Sequence, residues 1–89
     1  MTASPKEIVY LDNNATTCVA PEVFDEMTPF FTEYWGNPSS AYRFGSQVRP
    51  RIEKARAQVA HLIGAEQKEI FFTSCATESD NSAIRSALE

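Results

Sequence analysis

The chain has 89 residues, 43% of them hydrophobic, and a net charge of −4 with the charges scattered along it. That length gives one small domain or part of a larger one, and the apolar content supplies a core and argues against disorder. No basic stripe invites nucleic acid, no apolar stretch is long enough to cross a bilayer, and the opening Met-Thr-Ala-Ser-Pro-Lys-Glu is no secretory signal.

Ile8-Val9-Tyr10-Leu11 is a short apolar run and predicts a strand. Asp12 to Thr17 follows as a structured turn or loop, because Asp, Asn and Thr side chains compete for backbone hydrogen bonds. Pro21 sits in the favoured first position of a helix, with Glu22, Asp25 and Glu26 early in it, where negative charge suits the dipole. Val23, Met27, Phe30, Phe31 and Tyr34 keep the rhythm of one helical face. Pro29 removes a backbone donor and should kink or interrupt that helix.

Gly36 to Gly45 reads as loop, with turn formers concentrated in Gly36-Asn37-Pro38-Ser39-Ser40. Ser46 is a plausible N-cap for a second helix, and Pro50 falls in the first turn, which tolerates it. Val48, Ile52, Ala55, Val59, Leu62 and Ile63 form its apolar stripe, and Gly64 is its natural stop. The Arg-rich run from Arg49 to Arg56, interrupted by Glu53, reads as a solvated face. Glu69 to Thr73 predicts a buried strand and Ser79 to Leu88 a helix. The order strand, helix, helix, strand, helix is an α/β pattern.

Between that last strand and helix lies Thr73-Ser74-Cys75-Ala76-Thr77-Glu78-Ser79-Asp80-Asn81. A helix start leaves backbone N–H groups unpaired and carries a partial positive charge. Small residues let a phosphate approach those groups, and hydroxyls add donors. An ordinary helix cap has the same composition, so the residues alone leave both readings open. Cys75 reads first as a small residue filling a tight turn, and second as a thiol activated by the helix end. Cys18 reads as structural or incidental, His61 as a surface or packing residue, and Tyr34 and Trp35 as packing aromatics. Two cysteines without CxxC or Cys/His ligand spacing fit a reducing, cytoplasmic compartment and call for no metal site. A final helix without a stop signal before Glu89, and a strand with at most one partner, predict a piece of a larger enzyme.

The blocks Tyr10-Leu11-Asp12-Asn13-Asn14-Ala15-Thr16-Thr17, Gly36-Asn37-Pro38-Ser39-Ser40, Phe44-Gly45, Ala55-Arg56 and Thr73 to Asp80 stand in an order and spacing that resembles the cysteine desulfurases. The resemblance runs from about Ile8 to the last residue. It implies an N-terminal piece of an aspartate-aminotransferase-type (fold type I) transferase that uses pyridoxal 5'-phosphate, with residues 1–17 as extended strand and loop and residues 18–89 as the start of the large cofactor-binding domain. Such enzymes take sulfur from L-cysteine, release L-alanine, and hold the sulfur as a persulfide for delivery to an iron–sulfur scaffold protein; they are homodimers.

By that resemblance Ala76 and Thr77 hold the cofactor phosphate, and Asn13 and Asn14 lie near the substrate end of the site. Cys75, where many housekeeping members have Gly, is similar to the nitrogen-fixation type, whereas Tyr42 departs from the His frequent at its position. The family's Schiff-base lysine and persulfide cysteine have no match here. Lys6, Lys54 and Lys68 lack the matching context, so no catalytic residue is expected in these 89 residues, and the chain alone is expected to be inactive. Alternatives of other kinds are a selenocysteine lyase, an aminotransferase-like enzyme, or a short non-catalytic binding or association module.

Overall fold

The computed structural model describes residues 7–89, so the first six residues of the strand and loop expected over 1–17 lie outside the described residues. The chain divides between Trp35 and Gly36 into two compact units.

In the first unit the Ala15 amide donates to the Asp12 carbonyl at 3.0 Å and closes the expected turn. Thr17 Oγ1 donates to Asn13 Oδ1 at 3.2 Å, and the Tyr10 and Thr16 hydroxyls bond to each other. Helix α1 covers Pro21–Met27 and α2 covers Pro29–Thr32. The break falls where Pro29 predicts it, because proline has no N–H to continue the ladder. Thr28 bridges the break: its amide and its hydroxyl reach the Phe24 carbonyl at 3.0 and 2.8 Å. The Phe30 and Tyr34 rings lie 5.8 Å apart in a tilted arrangement suited to aromatic pairs. Trp35, expected as a packing residue, is 66% exposed in this chain.

The second unit opens with the loop Gly36 to Ser40. Asn37 organises it: its side-chain Oδ1 accepts from the Ser39 amide at 2.9 Å and its carbonyl accepts from the Ser40 amide at 3.0 Å. The expected loop to Gly45 is shorter than the sequence suggests, because Arg43–Ser46 forms a helical turn, α3. Gly45 in that turn is buried, and a Cβ on it would collide with the Asn37 carbonyl and stand 2.7 Å from Ser40 Cβ. Only a glycine lets the Gly36–Ser40 loop and α3 close on each other this tightly.

Helix α4 covers Arg49–Ile63 with Pro50 in its first turn, as expected. Ser46 is not its N-cap: Val48 holds that position, and the Ser46 hydroxyl donates to the Arg43 carbonyl at 3.4 Å within α3. Gly64 ends α4 with φ 70° and ψ 31°, and the Ala65 amide returns to the Ala60 carbonyl at 2.8 Å. This is the left-handed stop that glycine supplies without a Cβ penalty. Helix α4 packs against α3 and against a 3₁₀ turn, Gln67–Glu69. The buried side chains here are Val48 and Ala60. The apolar stripe on α4 is covered only at its start: Ile52 and Ala55 are half-buried, while Leu62 is 83% exposed.

The two expected strands do not form. Among the described residues there is no ladder, Glu69 belongs to the 3₁₀ turn, and Phe71 is 82% exposed where a buried strand was expected. The backbone at Ile70 is extended, with φ −98° and ψ 125°. Strand geometry is present there and a partner is not, since a strand is completed only by hydrogen bonds to a neighbour. Helix α5 covers Ala76–Leu88 and starts three residues before the expected Ser79.

Candidate functional site

The first turn of α5 holds the residues singled out for phosphate binding. The Cys75 backbone is extended at the N-cap, and its carbonyl accepts the first intrahelical bond, from the Ser79 amide at 3.1 Å. The amides of Ala76, Thr77 and Glu78 therefore precede the helical ladder and point out of the helix end. Thr73 ties down the approach to this turn. Its hydroxyl donates to the Cys75 carbonyl at 3.3 Å and bonds to the Ser79 hydroxyl.

Glu78 folds back over the turn. Its Oε1 accepts from the Ser74 amide at 2.8 Å and from the Ser74 hydroxyl at 2.7 Å. The Ser74 amide, followed by the Ser74 hydroxyl, holds the Glu78 carboxyl below its ordinary range. The carboxylate is thus spent on Ser74 and not on the amides of Ala76 and Thr77. The Cys75 thiol is also held below its ordinary range, first by the Glu78 amide and then by the Ser74 hydroxyl; desolvation opposes them, and the Thr77 amide adds the least. Cys75 is a free, exposed thiol, and the direction of this shift is the one a helix N-terminus gives a cysteine.

The donor set fits a phosphate. It combines amides at a helix N-terminus, small side chains at Ser74, Cys75 and Ala76, and the exposed hydroxyl of Thr77. A groove of about 460 Å³ runs beside it, lined by Phe72, Thr73, Glu78, Ser82 and Ser86 among others. Asn13 and Asn14 belong to the first unit and Ala76 and Thr77 to the second, so each pair is ordered within its own unit. His61 is exposed, and Cys18 is exposed with its thiol 3.6 Å from the Val19 carbonyl. Tyr42 is 67% exposed, and its carbonyl accepts from the amides of Gly45 and Ser46 at the start of α3.

The sequence reading missed Arg56, assigned to a solvated face. Arg56 Nη1 donates to the Ile70 carbonyl at 2.6 Å, its Nε faces the Glu53 carboxylate at 3.2 and 3.3 Å, and its guanidinium carbon lies 4.9 Å from the centre of the Phe72 ring. The available signal was Glu53 three residues before Arg56, which puts the pair on one helical face. Arg49 and Arg51 likewise reach backbone carbonyls, of Pro38 and Gln47, each at 2.9 Å. Among the described residues no cluster of three His, Cys, Asp or Glu side chains is placed to hold a metal ion, and no helix is long and apolar enough to cross a membrane.

The class of protein follows from comparison with known families. A model of the family "Aminotransferase class-V" matches residues 9–89, and this chain belongs to that family. Within it, the chain is similar to a protein named cysteine desulfurase from Trichormus azollae, at 57% identity over 91% of this chain and 20% of the relative. It is also similar to the cysteine desulfurase NifS of Azotobacter vinelandii, at 60% identity over 91% of this chain and 20% of the relative. A solved structure of a NifS-like protein superposes with a TM-score of 0.80 at 51% identity, covering 86% of this chain and 21% of that one. The chain spans about a fifth of the length of the curated relatives it matches. Its fold is that of the matching part of a fold type I α/β transferase.

Proposed function

We propose that this chain is the N-terminal part of a pyridoxal-phosphate-dependent cysteine desulfurase of the nitrogen-fixation type, and that residues 18–89 begin its cofactor-binding domain. The whole enzyme takes sulfur from L-cysteine, releases L-alanine, and holds the sulfur as a persulfide on an enzyme cysteine for an iron–sulfur scaffold protein. What supports this reading is the start of α5, where Ala76 and Thr77 stand in the first turn of a helix after the small residues Ser74 and Cys75, in a chain 54–60% identical to proteins named cysteine desulfurase.

In this reading Ala76 binds the cofactor phosphate through its backbone N–H, and Thr77 through its hydroxyl. The α5 dipole favours the phosphate charge. Asn13 and Asn14 stand toward the substrate end of the site. The bound cofactor supplies an electron sink for the bonds around the substrate Cα. This part of the enzyme contributes grip and orientation. The cofactor-bearing lysine and the persulfide cysteine belong to the stretch of the relatives that these 89 residues do not match, and the chain alone is inactive. The whole protein works as a cytoplasmic homodimer.

The test is to express the full open reading frame from the source gene and assay it with L-cysteine. Stoichiometric L-alanine and enzyme-bound sulfur, together with the visible absorbance of bound pyridoxal phosphate, support the reading. A product that binds no pyridoxal phosphate overturns it. A product that binds the cofactor but processes only selenocysteine, or transfers an amino group, replaces it with the related-enzyme alternative.

A further inference from the structure

Three side chains around Arg56 join α4 to the run that leads into α5. Glu53 takes the Arg56 Nε at 3.2 Å and also accepts from Gln67 Nε2 at 3.0 Å, while the same Gln67 nitrogen donates to the Glu53 carbonyl at 3.2 Å. Arg56 then holds the Ile70 carbonyl at 2.6 Å and covers the face of Phe72. Its side chain is only 22% exposed, so its donors and charge act with limited competition from water. The next residue along the chain is Thr73, whose hydroxyl fixes the Cys75 carbonyl and Ser79. A continuous set of contacts therefore runs from the middle of α4 to the first turn of α5. The extended run that starts at Ile70 is thereby held to α4 through Arg56.

We propose that Arg56 is a positioning residue for the phosphate-binding turn at Ala76 and Thr77, acting through Ile70, Phe72 and Thr73 without touching the ligand. The inference rests on the reading of that turn as a cofactor-phosphate site. A site of fixed donors is only as precise as the shell that holds it. The planar guanidinium serves here through two features that an ammonium does not combine: separate N–H groups aimed at Glu53 and at Ile70, and a flat face over the Phe72 ring.

The experiment uses the full-length protein. Pyridoxal phosphate affinity of the apoprotein is measured by absorbance titration for wild type, Arg56→Ala, Arg56→Lys, Phe72→Leu and Thr77→Ala, and for the Arg56→Ala/Thr77→Ala pair, with thermal melting of each apoprotein alongside. Arg56→Ala is expected to weaken cofactor binding roughly tenfold, the worth of one charge-assisted hydrogen bond, at temperatures where the variant is fully folded. Arg56→Lys is expected to restore melting more than affinity, and the double variant to fall short of the product of the two single effects, since both act on one turn. Should Arg56→Ala not fold, Phe72→Leu carries the same test, because it removes the ring under the guanidinium. Wild-type affinity in the folded Arg56 and Phe72 variants, with only the melting temperature lowered, overturns the inference and leaves the phosphate site standing. Wild-type affinity in Thr77→Ala, or no binding by the wild-type protein, removes the site reading and the inference with it.

Discussion

Glu78 bonds back to Ser74 twice, through one oxygen that takes both the Ser74 amide at 2.8 Å and its hydroxyl at 2.7 Å. The pairing resembles a capping box displaced by one residue: the acid at the third helical position reaches the residue before the N-cap instead of the N-cap itself. It keeps a negative charge at the positive end of α5 while leaving the amides of Ala76 and Thr77 outside its reach.

This relationship predicts a pH response. The Ser74 donors lower the folded-state pKa of Glu78. Its contribution is therefore present above the unfolded carboxyl value of about 4.3 and is lost as pH falls through the lower folded value. Hydrogen exchange at the Ser74 amide should quicken across that acidic window in the wild-type protein. In Glu78→Gln the same amide should exchange with no such step. A matching step in both proteins would assign the change to another group.

Cys75 gives a second pH prediction with the same sign. Its thiol is held low by the Glu78 amide and then by Ser74, so the thiolate persists in the folded protein to a lower pH than in the unfolded chain. The midpoint of the pH–rate profile for alkylation by iodoacetamide should lie lower in buffer than in concentrated urea, for Cys75 followed in a Cys18→Ser background. Coincident midpoints would show that the turn does not act on the thiol. Glu78→Gln should leave most of the shift in place, because the amide of residue 78 remains.

Local signals made much of this architecture legible. Pro29 breaks the first helix and Gly64 stops α4 because each acts through its own backbone, with no need of a distant partner. The turn at Asp12 is equally local. The expected strands show no ladder among the described residues because apolar content specifies an extended run but not the neighbour that completes it; Ile70 has the dihedral angles of a strand. α3 was hidden by Gly45, whose low helix propensity is outweighed by the close approach it permits. α5 starts early because Ser, Thr and Asp look like loop formers until an N-cap is placed at Cys75. The turn at Ser74 to Thr77, proposed here for a phosphate, is singled out by its place after an apolar run. For Arg56 the sequence offers only Glu53 on the same helical face, because its other partner is a backbone carbonyl 14 residues away.

Two glycines separate crowding from backbone strain. Gly45→Ala places a methyl against the Asn37 carbonyl and 2.7 Å from Ser40 Cβ, and overpacking of this kind costs about 1–3 kcal/mol. Gly64→Ala meets open space but forces a side chain into the left-handed region at φ 70°, at a cost of about 1–2 kcal/mol. Chemical denaturation of both variants should show losses in these ranges. Gly64→Asn should recover part of its loss, since Asn tolerates that region, while Gly45→Asn should be worse than Gly45→Ala. Equal behaviour of Asn at the two positions would refute the distinction.

Thr77 carries the sharpest prediction about the proposed site. Its side chain is exposed at the start of α5, next to the amides that precede the helical ladder. Thr77→Ala in the full-length protein removes a hydroxyl donor to a charged phosphate, and such a bond contributes about 1.5–3 kcal/mol. The dissociation constant for pyridoxal phosphate should rise correspondingly. Thr77→Ser keeps the hydroxyl and should stay close to wild type, which separates the hydrogen bond from the loss of a methyl. Melting of the apoprotein should change little in either variant, because the Thr77 side chain stands exposed at the start of α5. A cofactor affinity unchanged by Thr77→Ala would remove the reading of this turn as the phosphate site.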